Sequence, residues 1–203
     1  MKKMIAGALL GASSLLAMAQ PANAAVTFYT NRADFEAALG AVQIEDFADN
    51  LLIPNLSFLS TAGAISGGTF NDLAFPGTTS TTFNYATGIY AFGGEFNTPL
   101  SLSGVGLKFT IVPPGSALAQ ELPNTANGGF FGFISNTAFS SVLVEGGTQS
   151  GFLPFETYTL DNLTISTSPA IPEPETWMML IAGFGLLGTS MRRSQPTLRV
   201  RFN

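Results

Sequence analysis

The side chains of this chain that could do chemistry are almost all carboxylates and alcohols. It has no His and no Cys. That removes imidazole bases, imidazole metal ligands, thiolate nucleophiles, disulfides and zinc–thiolate sites. Between Ala25 and Ser168 eleven carboxylates stand against two basic residues, Arg32 and Lys108. So acidic a surface excludes nucleic acid as a partner and is compatible with a divalent cation. A glycosidase needs two carboxylates facing each other across a cleft, and no local pattern sets such a pair apart. No G-x-S-x-G, P-loop or dinucleotide fingerprint is present. The chain is expected not to be an enzyme.

Three carboxylates are candidates for a structural calcium ion. In the stretch Val42 to Phe47, Asp46 has the parity of Val42 and Ile44. In the stretch Tyr158 to Ser166, Asp161 has the parity of Leu163 and Ile165. Read as regular strands, both stretches turn an Asp toward the core, where a carboxylate is costly without compensation. Calcium accepts carboxylate and carbonyl oxygens in loose geometry, so Asp46 and Asp161, with Glu45 as a third, are the predicted metal ligands. The alternative is that each Asp accepts backbone N–H bonds in a turn. Sugar binding favours exposed aromatic rings. Tyr85 and Tyr90, beside the Pro76 to Thr82 loop, are the candidate glycan platform, against the plainer reading of half-buried sheet tyrosines. The threonine run Thr78 to Thr82 is short for an ice-binding array and reads as a polar loop.

These residues must be positioned by short strands. Val26–Tyr29 reads as a strand. Asn31–Leu39 reads as a short helix capped by Thr30 or Asn31 and ended at Gly40. Leu102–Val112 alternates most clearly, placing Val105, Leu107, Phe109 and Ile111 on one face and Lys108 on the other. Residues 113–129 read as a loop. Phe130–Ser135 and Phe139–Glu145 read as two strands joined by a turn at Asn136 and Thr137. Tyr158–Ser166 closes the domain. Many short strands, Gly/Pro punctuation and one early helix predict an all-β fold, an antiparallel β-sandwich of jelly-roll type.

Both ends of the chain read as targeting segments. Lys2 and Lys3, the apolar Met4–Met18 and the small residues Ala22 and Ala24 form a secretory signal peptide over 1–24, with Ala25 as the new N-terminus. The far end has Pro172-Glu173-Pro174, then an uncharged run from Trp177 to Met191, then Arg192 and Arg193. Fifteen helical residues span roughly 22 Å, less than the roughly 30 Å of a bilayer core. Arginine snorkelling and an interfacial Trp177 extend that reach. The run is expected to be a C-terminal transmembrane helix with its basic end in the cytoplasm.

This tail resembles the PEP-CTERM sorting signal, on Pro172, Glu173, Pro174, Trp177, the run Gly183-Phe184-Gly185-Leu186-Leu187-Gly188 and the pair Arg192-Arg193. The resemblance implies export through the inner membrane, transient anchoring there and processing near the PEP motif by an exosortase. It also implies association with exopolysaccharide and biofilm. Residues 195–203 extend beyond the usual end of that signal, as a basic cytoplasmic extension. More weakly, residues 128–147 and 158–166 resemble the closing strands of jelly-roll domains akin to carbohydrate-binding modules. The chain is thus divided into a signal peptide (1–24), a β-sandwich (25–168), a sorting signal (169–194) and the extension. Two functions stay open. One is a non-catalytic envelope or matrix protein. The other is a module that binds the exopolysaccharide itself. Ice binding and glycan-active catalysis rank below both.

Overall fold

A computed structural model describes residues 25–77, 80–99, 103–111, 118–171 and 174–193. The signal peptide, Ala22 and Ala24, Pro172, Glu173 and the 195–203 extension lie outside the described residues. The elements run β1 (Val26–Tyr29), α1 (Arg32–Ala37), β2 (Gln43–Glu45), β3 (Leu56–Ser60), β4 (Ala64–Ser66), β5 (Thr69–Ala74), β6 (Ser80–Asn97), β7 (Leu107–Ile111), β8 (Leu118–Leu122), β9 (Asn127–Gly146), β10 (Glu156–Ser166) and α2 (Pro174–Arg193).

The strand pairs are antiparallel. Strands β6 and β9 pass through both layers of a sandwich. Thr81–Tyr85 of β6 pairs with β3, and Ser80–Asn84 with Ser141–Glu145 of β9, which in turn pairs with β7, and β7 with β8. Ala91–Asn97 of β6 pairs with β10 and with Asn127–Ile134 of β9; β5 and β2 join β10, β4 joins β5 and β1 joins β9. Register slips between Asn84 and Ala91 mark the bend between layers.

Phenylalanine fills the space between the layers. Phe96 meets Phe109 edge-on at 5.1 Å, and Phe70 meets Phe83 at 5.2 Å, a favoured arrangement for ring pairs. Leu107, Phe109 and Ile111 face this core, as their alternation predicts; Val105 is buried but lies before β7, beyond Gly106 at φ 73°, and is not part of that cluster. Lys108 points away and donates to Glu145 Oε1 at 2.8 Å; that hydrogen bond raises its pKa.

Three expected elements differ. The region read as a loop after Pro113 contains β8, whose sequence LAQEL carries no β-branched residue. The two strands proposed on either side of Asn136 are one strand, β9. Asn136, read as a turn residue, instead exchanges bonds with Ala25: its N–H donates to the Ala25 carbonyl and its Oδ1 accepts the Ala25 N–H. In β2 the buried parity is the opposite of that expected. Glu45 and Phe47 face inward, whereas Ile44 and Asp46 are exposed.

Candidate functional site

The outer face of the β10 layer has two contrasting halves. Over one half lies α1. Asn31 caps it, its Oδ1 accepting the Asp34 N–H at 3.2 Å. Phe35 packs down onto Ala91, Ile134 and Phe130. A Cβ on Gly93 would stand 2.7 Å from the Phe130 ring and 3.2 Å from that of Phe35, so the floor under the helix requires glycine. Arg32 anchors this corner. Its Nε and Nη2 donate to both oxygens of Glu95 at 2.7 Å, Nη1 donates to Glu36 and Thr164, and Nη2 donates to the Asn162 carbonyl. The guanidinium also lies 5.0 Å from the centroid of the Phe130 ring. Burial works against its charge, but the Glu95 and Glu36 hydrogen bonds prevail and its pKa is raised. With its donors so engaged, Arg32 is a clasp, not a ligand hand.

The other half is an open depression of about 300 Å³ lined by Ala62, Asn71, Leu73, Pro99, Thr157 and Thr159, with Asp72 and Tyr158 beneath. The strand register sets its floor. Thr159 pairs with Asn71 on one side and Asn97 on the other, and Thr157 with Leu73. All five side chains are half-buried and point outward, while their neighbours Asp72, Tyr158 and Phe96 point in.

The buried carboxylates under this layer are held by neutral donors. Asp72 Oδ2 accepts from Thr81 at 2.6 Å and from the Tyr158 hydroxyl at 3.4 Å, and its Oδ1 accepts the Leu73 N–H at 2.7 Å. Burial, with the charge of Asp72 added, pushes the Tyr158 pKa well up. Glu156 is fully buried. Its Oε2 accepts the Gly106 N–H at 2.9 Å, and its Oε1 has no hydrogen-bond partner among the described residues. Burial raises its pKa against the opposing pull of the Gly106 and Thr157 N–H groups.

The predicted calcium ligands do not face the core together. Strands β2 and β10 do pair, Glu45 opposite Leu163. Asp46, however, is exposed, and its Oδ1 accepts the Ala48 N–H at 3.0 Å. Asp161 is half-buried on the outer face because a bulge after it, with Asn162 at φ 47°, breaks the parity with Leu163. Its Oδ1 accepts the Asn162 N–H at 2.7 Å. Glu45 is the inward carboxylate, 3 % exposed, and both its oxygens accept backbone N–H bonds, from Phe47 and Ile53. Among the described residues no three acids are grouped to hold a metal.

Tyr85 cannot serve as a sugar platform. It is buried in the core, its hydroxyl has no partner among the described residues, and burial pushes its pKa well up. Tyr90 is half-buried at the bend of β6. In the threonine run, Thr78 and Thr79 lie outside the described residues, and Thr81 is buried against Asp72. Sequence reading missed the Asn71, Thr157 and Thr159 floor, and Asn97 beside it. The alternation of β5 and β10 was the available signal, but it does not say which strands are neighbours.

The tail is a 20-residue helix, α2, immediately after the domain. The Ile171 N–H donates to the Ala38 carbonyl at the end of α1, at 3.0 Å, so the chain leaves the domain there. Met178, Leu180, Ile181, Phe184, Leu186 and Leu187 are exposed around the helix. Among the described residues no helix is long and apolar enough to cross a membrane.

Residues 170–194 match the PEP-CTERM protein-sorting motif. No curated protein matches the chain. Among solved structures, the chain is similar to a family 29 carbohydrate-binding module from Piromyces equi, at 10% identity over 64% of this chain and 91% of that one, TM-score 0.45. It is similar to a family 29 module complexed with mannohexaose, at 10% identity over 64% and 93%, TM-score 0.45. It is also similar to part of an agarase, at 12% identity over 65% of this chain and 25% of that one, TM-score 0.45.

Proposed function

We propose that this is an exported, non-catalytic protein of the cell envelope or extracellular matrix, sorted and processed through its PEP-CTERM tail by an exosortase. The carrying observation is the match of residues 170–194 to that motif. A helix from Pro174 to Arg193 with apolar side chains exposed all round supports it, because such a helix needs an apolar environment other than its own domain. Its hold on the inner membrane is transient because processing ends it, with Trp177 at the interface and Arg192 and Arg193 on the cytoplasmic side. Pro172, Glu173 and Pro174 mark the processing region. The domain starts at Ala25, the first residue after the Ala22–Ala24 cleavage site, and ends at Ser168; 1–24 is the signal peptide and 195–203 the cytoplasmic extension. Association with exopolysaccharide and biofilm belongs to the same reading.

Fractionation tests it. Truncation before Pro174 should move the protein from the membrane to the soluble exported fraction and abolish the size shift of processing. Equal distribution of truncated and intact chains would end the sorting proposal.

A second reading, direct binding of a polysaccharide, is favoured by one observation: the outward depression over β5 and β10, with its amide and hydroxyl floor.

A further inference from the structure

The floor of that depression has hydrogen-bonding capacity which the protein leaves unused. Thr157, Thr159 and Asn97 are half-buried, yet their side chains bond to no other described residue. Asn71 turns its Nδ2 toward the Ser66 and Thr69 carbonyls, leaving its Oδ1 as an acceptor. Elsewhere on this face the half-buried Arg32 and Glu95 and the buried Thr164 are bonded within the protein. Asn71, Thr159 and Asn97 lie side by side on three adjacent strands, a row of roughly 10 Å. Thr157, Thr159 and Asp161 follow one another along β10 over roughly 13 Å. Leu73, Ala62 and Pro99 supply apolar edges. Alcohols and amides that both donate and accept, set between apolar patches, match the alternating hydroxyl and C–H surface of a sugar chain.

Charge decides which sugar. At the groove's end Asp161 stands opposite Glu95, and the one cation there, Arg32, is already occupied by Glu95 and Glu36. Lys108 belongs to the other layer and is paired with Glu145. A uronic acid or a sulfated sugar would meet carboxylates with no free cation to receive it. We propose that this groove binds a single chain of a neutral polysaccharide, with Thr159 at its centre and Asn71, Asn97 and Thr157 around it. The proposal rests on the polysaccharide-binding reading above and narrows it to a site and a class.

The test is affinity electrophoresis of the full-length chain in mild detergent, through gels containing neutral galactomannan, neutral β-glucan or anionic alginate. Retardation by a neutral polymer and none by alginate is the expected result. Thr159→Val keeps the shape and strand propensity while removing one hydroxyl, and should weaken retardation roughly three- to tenfold. Thr157→Val should act in the same direction. If both variants, folded by their thermal midpoints, are retarded like the parent, the groove is not the site although polysaccharide binding stands. If no polymer retards the parent, the polysaccharide-binding reading fails and the groove with it. Stronger retardation by alginate overturns the neutral class. Should the valine variants not fold, amide exchange of the parent reads the same site. Slower exchange over residues 71–73 and 157–159 with bound polymer supports the proposal, and unchanged exchange there overturns it.

Discussion

Phe109 and Phe184 are the same residue in opposite situations. Phe109 is completely buried between the layers of the sandwich, within 5.1 Å of Phe96 and 4.9 Å of Phe131. Phe184, on α2, is 66 % exposed, with Leu186 and Leu187 beside it just as bare. The domain therefore closes its core without the helix: no described α2 side chain belongs to either apolar cluster. Apolar content has two uses in this chain. In the domain it holds strands to one another. In the described part of the tail it is exposed and packs on neither apolar cluster of the domain.

The sharpest way to break that contrast is to truncate each side in turn. Phe109→Ala should cost the domain roughly 3–5 kcal/mol, the transfer term plus the cavity left among Phe92, Phe96 and Phe131. Leu186→Ala should leave the same unfolding transition within roughly 0.5 kcal/mol. Chemical denaturation of both variants reads the difference. A loss for Leu186→Ala as large as for Phe109→Ala would show that the helix packs on the domain, and the division would dissolve.

The contrast also explains what could be read from the sequence. The tail was legible because its signal is linear: Pro172-Glu173-Pro174, an apolar run and an Arg pair need only be in order. The face of the strand through Phe109 was legible because Leu107, Phe109 and Ile111 alternate without interruption. Asp161 was misassigned because parity survives only while the strand is regular, and Asn162 in a left-handed conformation resets it. Tyr85 was misassigned because a tyrosine beside a polar loop looks the same in sequence whether its strand faces in or out. The groove was illegible for a different reason. Asn71, Thr159 and Asn97 come from β5, β10 and β6, and only the pairing order makes them a row.

A smaller effect sharpens the comparison within the domain. Among the described residues no salt bridge lies in the core, and charge gathers at the Arg32 corner, where one guanidinium joins α1, β6 and the β10 bulge. Arg32→Met keeps much of the stem packing and removes the charged donors. The loss should be roughly 1.5–3 kcal/mol, in the range of a hydrogen bond to a charged group, with partial screening at its exposed edge. The bulge should loosen first, seen as faster amide exchange at Leu163 and Thr164. A surface value near zero would mean that Phe35 alone seats the helix.

The smallest expected effect depends on pH and lies at Glu156, the first residue of β10. Glu156 is buried with one oxygen on the Gly106 N–H and the other without a hydrogen-bond partner among the described residues, and burial raises its pKa above the ordinary carboxylate range. The folded state thus holds this proton more tightly than the unfolded state. Its contribution to stability is fully present at pH below the unfolded carboxylate pKa, and it is lost as pH rises through the raised folded value. Glu156→Gln keeps the acceptor for Gly106 and cannot ionise. The variant and the parent should therefore unfold at similar denaturant concentration under acid conditions, where both side chains are neutral. As the pH rises toward neutrality the parent alone must bury a charge, and the variant should become the more stable of the two. The same measurement on Leu186→Ala should show no such divergence, because nothing in α2 contacts this carboxyl among the described residues. Parallel pH curves for Glu156→Gln and the parent would mean that the second oxygen finds a donor in the folded protein, and that this end of the core is as fully satisfied as the Arg32 corner.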